Sequence, residues 1–168
     1  MRYLVTLLAL LPTALWAQPK PLDCQGSAPH RQFDFWIGRW EVRDARGELA
    51  GHNHIQSVQS GCALREQWAS VRGGGGESLN YYSPETGNWR QLWLDSGYSI
   101  IDISGGLSSD NSMRLEGSIF YLEQGTTRPF RGTWTLLEDG RVRQFFEQQD
   151  DQDQWQTWFE GFYSRTGD

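Results

Sequence analysis

Residues 112–122 read SMRLEGSIFYL and alternate apolar with polar side chains over most of their length. The apolar set, with one glycine, is Met113, Leu115, Gly117, Ile119 and Tyr121. The polar set between them is Arg114, Glu116 and Ser118. Because side chains two positions apart share one face of a strand, this pattern predicts a β-strand with one face towards a core and the other towards solvent.

Short runs of the same kind follow one another from Gly38 onward, and Gly, Asn, Asp or Pro residues separate them at nearly regular intervals. We expect ten strands, near residues 39–45, 51–58, 62–71, 77–82, 88–95, 97–103, 112–122, 128–137, 140–148 and 154–164. Every connection is of hairpin length and none holds a crossover helix, so sequential strands pair in antiparallel fashion. Closure of such a sheet removes its exposed edges. The sequence therefore predicts an all-β fold, a single up-and-down antiparallel β-barrel.

The N-terminal segment differs from the rest of the chain. Residues 1–17 contain an apolar run from Leu4 to Trp16, followed by the small residue Ala17 at the expected cleavage site. This pattern is typical of a cleavable secretory signal peptide. A bilayer-spanning helix needs about 20 apolar residues. This run is shorter, so we expect no transmembrane segment. The sequence predicts an exported protein, periplasmic or secreted.

Two further segments follow the signal peptide. Residues 18–28 include two prolines and a glycine, which favour an extended lead-in. Residues 29–168 form the barrel domain, because a chain of this length suits one core. Phe33, Trp36 and Ile37 lie three and four positions apart, and this spacing predicts a short N-terminal helix within residues 29–37.

Cys24 and Cys62 are the only cysteines in the chain. An even count in an exported protein indicates a disulfide, because the compartment is oxidising. The alternative is two free thiols.

The balance of charge excludes one class of partner. The chain holds 15 Lys and Arg residues against 21 Asp and Glu residues, a formal net charge of −6. Such a surface repels phosphate groups, and no run of basic residues offsets it, so we expect no nucleic-acid partner.

Polar residues interrupt otherwise apolar faces of three predicted strands. The set comprises Glu66 beside Trp68, Gln91 and Asp95 around Trp93, and Gln144 between two apolar residues. A buried polar group requires a partner, and an unpaired carboxylate acquires a raised pKa. The pattern is typical of a pocket with a few polar anchors. Two alternatives remain: a hydrogen-bonded network that joins strands, or a buried pair between Glu66 and an arginine such as Arg65 or Arg143.

Other candidate features favour structural roles. His52 and His54 share one strand face, but Ile55 on the opposite face is expected in the core, so the histidines face solvent and we expect no metal. We expect Trp40, Trp134 and Trp155 to fill the barrel. Alternation in the last strand places Trp155, Thr157, Phe159, Gly161 and Tyr163 on one face and Gln154, Gln156, Trp158 and Glu160 on the other.

The Gly38-x-Trp40 motif, directly after Phe33–Trp36, resembles the signature that opens the barrel of lipocalins and other calycins. The fuller set resembles an uncharacterised family of secreted bacterial calycin-like proteins: FDFWIGxWEV at 33–42, GCxLxExW at 61–68, NYY at 80–82 and WxQxWxD at 89–95. The resemblance covers roughly residues 29–165 and implies a barrel, but no specific activity. It also implies that Trp40 packs across the closed end beneath a basic side chain, Arg143 or Arg165.

The pattern of ten strands also resembles that of nitrobindin and the fatty-acid-binding proteins. Nitrobindin binds haem through a histidine late in its chain, whereas no histidine follows His54 here. We therefore expect no cofactor.

Three functions fit this sequence. The first is a non-enzymatic binding protein that holds a small hydrophobic or amphipathic molecule in the barrel, with Glu66, Trp68, Gln91, Trp93, Asp95 and Gln144 around it. The second is an isomerase- or cyclase-like enzyme in which Glu66 and Asp95 transfer protons. The third is a filled barrel that acts through its surface in the cell envelope. A perturbed carboxylate in an open cavity favours the second, an open cavity without such a carboxylate favours the first, and a solid core favours the third.

Overall fold

Ten antiparallel strands close into a barrel in the computed structural model, which describes residues 21–167. The strands are β1 Gly38–Asp44, β2 Leu49–Val58, β3 Ala63–Ser70, β4 Gly75–Ser83, β5 Asn88–Asp95, β6 Ser99–Leu107, β7 Ser112–Tyr121, β8 Thr126–Leu136, β9 Val142–Gln149 and β10 Trp155–Arg165. Each strand pairs with its neighbours in sequence, and β1 pairs with β10 to complete the barrel. The predicted fold class is confirmed, and it agrees with the fold that the calycin resemblance implies. The signal peptide predicted for residues 1–17 lies outside the described residues.

The N-terminal segment closes one end of the barrel. The predicted helix is a four-residue helix, α1 Ala28–Arg31, followed by a 3-10 turn at Asp34–Trp36. Phe33 is fully buried and stacks against Trp36 with ring centroids 5.0 Å apart. Within residues 21–167, no helix has the length and apolar character needed to cross a membrane.

Trp40 lies in this closed end, as the resemblance implies. Its side chain is 1% exposed, and its Nε1 donates a hydrogen bond to Trp36 O over 2.9 Å. The basic partner is Arg165, whose guanidinium carbon lies 4.3 Å from the Trp40 ring centroid, a cation–π arrangement. A Cβ at position 38 would overlap Arg165 Nη1, and Gly38 has a φ of +147°. Glycine at this position therefore lets Arg165 reach the ring.

A disulfide joins Cys24 to Cys62, with the two Cα atoms 5.0 Å apart. The predicted pairing is confirmed. It ties the lead-in to the start of β3, beside a hydrogen bond from Arg31 Nη2 to Gly61 O of 2.7 Å. The cross-link therefore holds α1 over the closed end.

A β-bulge in β10 reverses the faces predicted for two tryptophans. The register with β9 shifts between Thr157 and Phe159. Trp155 is half-buried on the outer surface, where the Arg131 guanidinium carbon lies 4.0 Å from its ring centroid. Trp158 instead packs against interior rings, with its centroid 5.4 Å from that of Phe130. The predicted filling role of Trp155 is therefore wrong, because an extra residue in one strand shifts the alternation by one position.

Candidate functional site

A cavity of about 320 Å³ opens at the end of the barrel opposite α1. The β1–β2 and β3–β4 connections form part of its mouth, through Asp44, Arg46 and Arg72. Its apolar walls comprise Leu49, Ala50, Trp68, Trp93, Ile101, Phe146, Trp158 and Phe159. Its polar lining includes Glu66, Ser70, Gln91, Gln144 and Tyr163. An apolar cavity with a few polar groups is the usual form of a small-molecule site.

Glycines on adjacent strands let the tryptophan rings lie against the barrel wall. A Cβ at Gly51 would come within 2.6 Å of Trp68 Cη2, and one at Gly76 within 2.7 Å of Trp93 Cη2. Any larger residue at these positions would overlap both the ring and a backbone carbonyl of the neighbouring strand. The glycines therefore allow both rings to occupy their places in the cavity wall.

Glu66 lies at the inner boundary of the cavity and is 3% exposed. Each carboxylate oxygen accepts one hydrogen bond from a neighbouring strand. Asn53 Nδ2 on β2 donates to Glu66 Oε1 over 2.7 Å, and Ser78 Oγ on β4 donates to Glu66 Oε2 over 2.7 Å. Both partners are neutral, so hydrogen bonds alone hold this carboxyl group.

We call the polar side chains connected to Glu66 the polar layer, which consists of Asn53, Glu66, Ser78, Asn80, Gln91, Gln144 and Tyr163. Asn80 Nδ2 donates to Ser78 Oγ over 2.8 Å, and Gln91 Nε2 donates to Asn80 Oδ1 over 2.9 Å. On the other side, Asn53 Nδ2 lies 3.3 Å from the Tyr163 hydroxyl, which donates to Gln144 Oε1. The layer therefore links six strands across the barrel.

The arginines that could have paired with Glu66 lie elsewhere. Arg65 pairs with Glu77 over 2.8 Å, and Arg143 pairs with Glu160 over 2.6 Å. The alternative of a buried Glu66–arginine pair is therefore wrong, whereas the alternative of a hydrogen-bonded network is confirmed. Glu66 belongs both to this network and to the cavity lining, so the network does not exclude an open cavity.

Burial changes the acidity of Glu66. Desolvation disfavours the charged form and raises its pKa from 4.5 to about 7, although the hydrogen bonds from Ser78 and Asn53 act in the opposite direction. The carboxyl group therefore changes charge near neutral pH. A group with this property can accept a proton, release a proton, or become the counter-ion of a bound cation.

Asp95 does not join the other predicted site residues. Its Oδ1 accepts hydrogen bonds from the backbone N–H groups of Tyr98 and Ser99 over 2.5 and 2.9 Å. Its Oδ2 accepts a hydrogen bond from the Ser99 side-chain hydroxyl over 2.6 Å. It is absent from the cavity lining. Asp95 therefore stabilises the β5–β6 turn, and the structure does not assemble a Glu66–Asp95 pair inside the barrel.

The structure brings the other five predicted residues together at the cavity: Glu66, Trp68, Gln91, Trp93 and Gln144. The sequence reasoning missed Asn53, Ser78, Asn80 and Tyr163 as parts of the polar layer. A signal for two of them was present, since Ser78 and Asn80 occupy alternate positions on β4 and pair with Trp93 and Gln91 on β5.

Charged groups at the mouth are paired with one another. Arg46 Nη2 lies 3.2 Å from Asp44 Oδ2 and 3.0 Å from Glu48 Oε2. Arg72 lies at the same mouth and is mostly exposed, with its Nη2 3.9 Å from Glu48 Oε2. The mouth therefore carries both signs of charge, whereas Glu66 is the only carboxyl group in the polar layer.

His52 is exposed and His54 is half-buried, while the intervening Asn53 is buried. This arrangement agrees with the outward orientation expected for both histidines. Among the described residues, no three His, Cys, Asp or Glu side chains form a group that could hold a metal ion.

No protein-family model matches this chain, and the search of curated proteins finds no match.

Proposed function

We propose that this protein is an exported, calycin-like binding protein that holds a small amphipathic molecule in the barrel cavity. The observation that carries the proposal is the open cavity of about 320 Å³, with aromatic walls and polar groups at its inner boundary. Apolar walls provide most of the binding free energy, and the polar groups orient the ligand. The alternative of a filled barrel that acts through its surface requires a solid core. The open cavity therefore does not support this alternative.

The arrangement of the walls supports one orientation of the proposed ligand. Its polar end contacts Glu66, Gln91 and Gln144, and its apolar body lies between Trp68 and Trp93. A polar ligand group at the inner end of the cavity can form hydrogen bonds with these side chains. An apolar ligand group at the same place could not form them.

The first test is a fluorescence titration, because tryptophans line the cavity. We expect saturable quenching by at least one member of a panel of fatty acids, long-chain alcohols, alkylamines, flat aromatics, quinones and haem. Trp93→Phe should reduce the amplitude of this quenching, because it removes a reporter from the cavity. The matched control is Trp155→Phe, which alters a tryptophan on the outer surface and should leave the ligand-induced change intact. Absence of saturable quenching across the panel would contradict the binding function.

A proton-transfer enzyme is a second candidate, and one observation favours it. Glu66 borders the cavity, and its pKa is about 7, near the pH at which a general base works best. The binding function ranks first because Asp95, the second carboxyl group that this reaction would use, is engaged in the β5–β6 turn and is absent from the cavity lining.

The second candidate predicts an activity that depends on Glu66. We expect exchange of acidic protons next to a carbonyl for deuterium in D₂O, observed by NMR with small cyclic ketones. Glu66→Gln should abolish this exchange, because the amide cannot act as a base at neutral pH, whereas Asp95→Asn should leave it unchanged. Equal exchange rates with the wild-type protein and the Gln variant would eliminate this candidate.

A further inference from the structure

We propose that the cavity selects ligands whose buried end is a protonated primary amine, with Glu66 as the counter-ion and the aromatic walls around the apolar body. This inference rests on the proposed binding function and names the chemical class of the ligand. It follows from the charge, the hydrogen bonds and the aromatic composition of the cavity.

Glu66 lacks a counter-charge among the residues that the structure describes. The ion pairs within residues 21–167 do not include Glu66, and its two hydrogen-bond donors are neutral. An ionised carboxylate in this position is therefore not electrostatically compensated by the protein. A ligand ammonium group would compensate it through a charge-assisted hydrogen bond.

Gln91 lines the same cavity as Glu66 and provides a further acceptor. Gln91 Nε2 donates to Asn80 Oδ1, but Gln91 Oε1 accepts no hydrogen bond from the residues that the structure describes. A primary ammonium has three N–H donors and no acceptor. Glu66 and Gln91 therefore offer acceptors to more than one of these donors.

The wall of the cavity is largely aromatic. Six aromatic residues line the cavity: Trp68, Trp93, Phe146, Trp158, Phe159 and Tyr163. Aromatic faces attract cations, with tryptophan the most favourable, and this attraction strengthens when water is excluded. The same rings provide apolar contacts for the rest of the ligand.

A carboxylate ligand fits this site poorly. Entry with its anionic end first would bring it towards Glu66, and like charges repel at short distance. The arginines near the cavity, Arg46 and Arg72, lie at the mouth and contact Asp44 or Glu48. The buried end of the cavity therefore favours a cation over an anion.

The experiment compares octylamine, 1-octanol and octanoate, which share one alkyl chain and differ in the terminal group. Calorimetry at pH 8 should give octylamine at least about tenfold higher affinity than 1-octanol, because a charge-assisted hydrogen bond is about twice as strong as a neutral one. Octanoate should bind most weakly. In Glu66→Gln the preference for the amine should disappear, whereas Glu77→Gln, on the outer surface, should retain it.

The pH profile gives a second readout that needs no variant. Lowering the pH from 8 to 6 should weaken octylamine binding about tenfold, because Glu66 takes up a proton while the amine stays charged. Near Glu66, the neighbouring strands present neutral Asn53 and Ser78, and Tyr163 has a pKa raised well above 10 by burial, so it does not titrate in this range. The other ionisable groups of the lining are Asp44, Arg46 and Arg72 at the mouth. Affinity for 1-octanol should change little.

The outcomes separate this inference from the proposed function. If 1-octanol or octanoate binds as tightly as octylamine, or if only another class of compound binds, the cavity is a binding site and the amine preference is wrong. If no compound of either panel binds saturably, the binding function fails and the inference fails with it. Amine preference that survives in Glu66→Gln would remove Glu66 from the role assigned here.

Discussion

Replacement of Trp40 by alanine is expected to lower the free energy of unfolding by about 3–5 kcal/mol, the range for large aromatic truncations in protein cores. The side chain is 1% exposed, and its loss would leave a cavity where the closed end of the barrel meets the N-terminal segment. The variant also loses the hydrogen bond from Trp40 Nε1 to Trp36 O and the ring beneath Arg165. Urea or guanidinium unfolding at equilibrium measures the difference.

Two control variants identify the source of this loss. Trp40→Phe keeps most of the apolar volume but removes the indole N–H, so it should destabilise the barrel less than Trp40→Ala. Trp155→Ala truncates a tryptophan on the outer surface and should also have a smaller effect. A loss below about 1 kcal/mol for Trp40→Ala would be typical of a surface position and would contradict a core role.

The strands could be predicted from the sequence because the signals for them are local. Alternation and turn residues place each strand to within a few residues, and the short connections leave one simple topology. The bulge between Thr157 and Phe159 is different, because it depends on how β10 pairs with β9. The faces of Trp155 and Trp158 were therefore wrong although the strand was right.

The candidate site was predictable only in part for the same reason. Alternation correctly placed Glu66 and Gln91 on the inner face. It could not show that the turn after β5 engages Asp95, since a carboxylate at a strand end resembles one inside a strand. It also could not reveal that Gly51 accommodates Trp68, because the contact joins neighbouring strands.

The stability of the folded protein is expected to depend on pH through Glu66. The Glu66 carboxyl loses its proton near pH 4.5 in the unfolded chain but has a pKa of about 7 in the folded protein. Between these values the folded state binds more protons, so the free energy of unfolding decreases as pH rises. The stability linked to the proton on Glu66 is fully present below pH 4.5. It falls as the pH rises from 4.5 to 7 and is lost above pH 7. Each pKa unit corresponds to about 1.4 kcal/mol, so the total is on the order of 3 kcal/mol.

Unfolding of the ligand-free wild-type protein and of Glu66→Gln, measured from pH 4 to pH 8, isolates this contribution from other titrating groups. The stability of the variant relative to the wild type should increase by roughly 3 kcal/mol over this range, because the amide has no charge to bury. Glu77→Gln is the matched control on the adjacent strand. Arg65 lowers the pKa of the exposed Glu77, so its effect should have the opposite sign and be smaller. A constant difference between the wild type and Glu66→Gln would mean that Glu66 titrates normally, and it would withdraw support for both a general base and a pH-dependent counter-ion in the cavity.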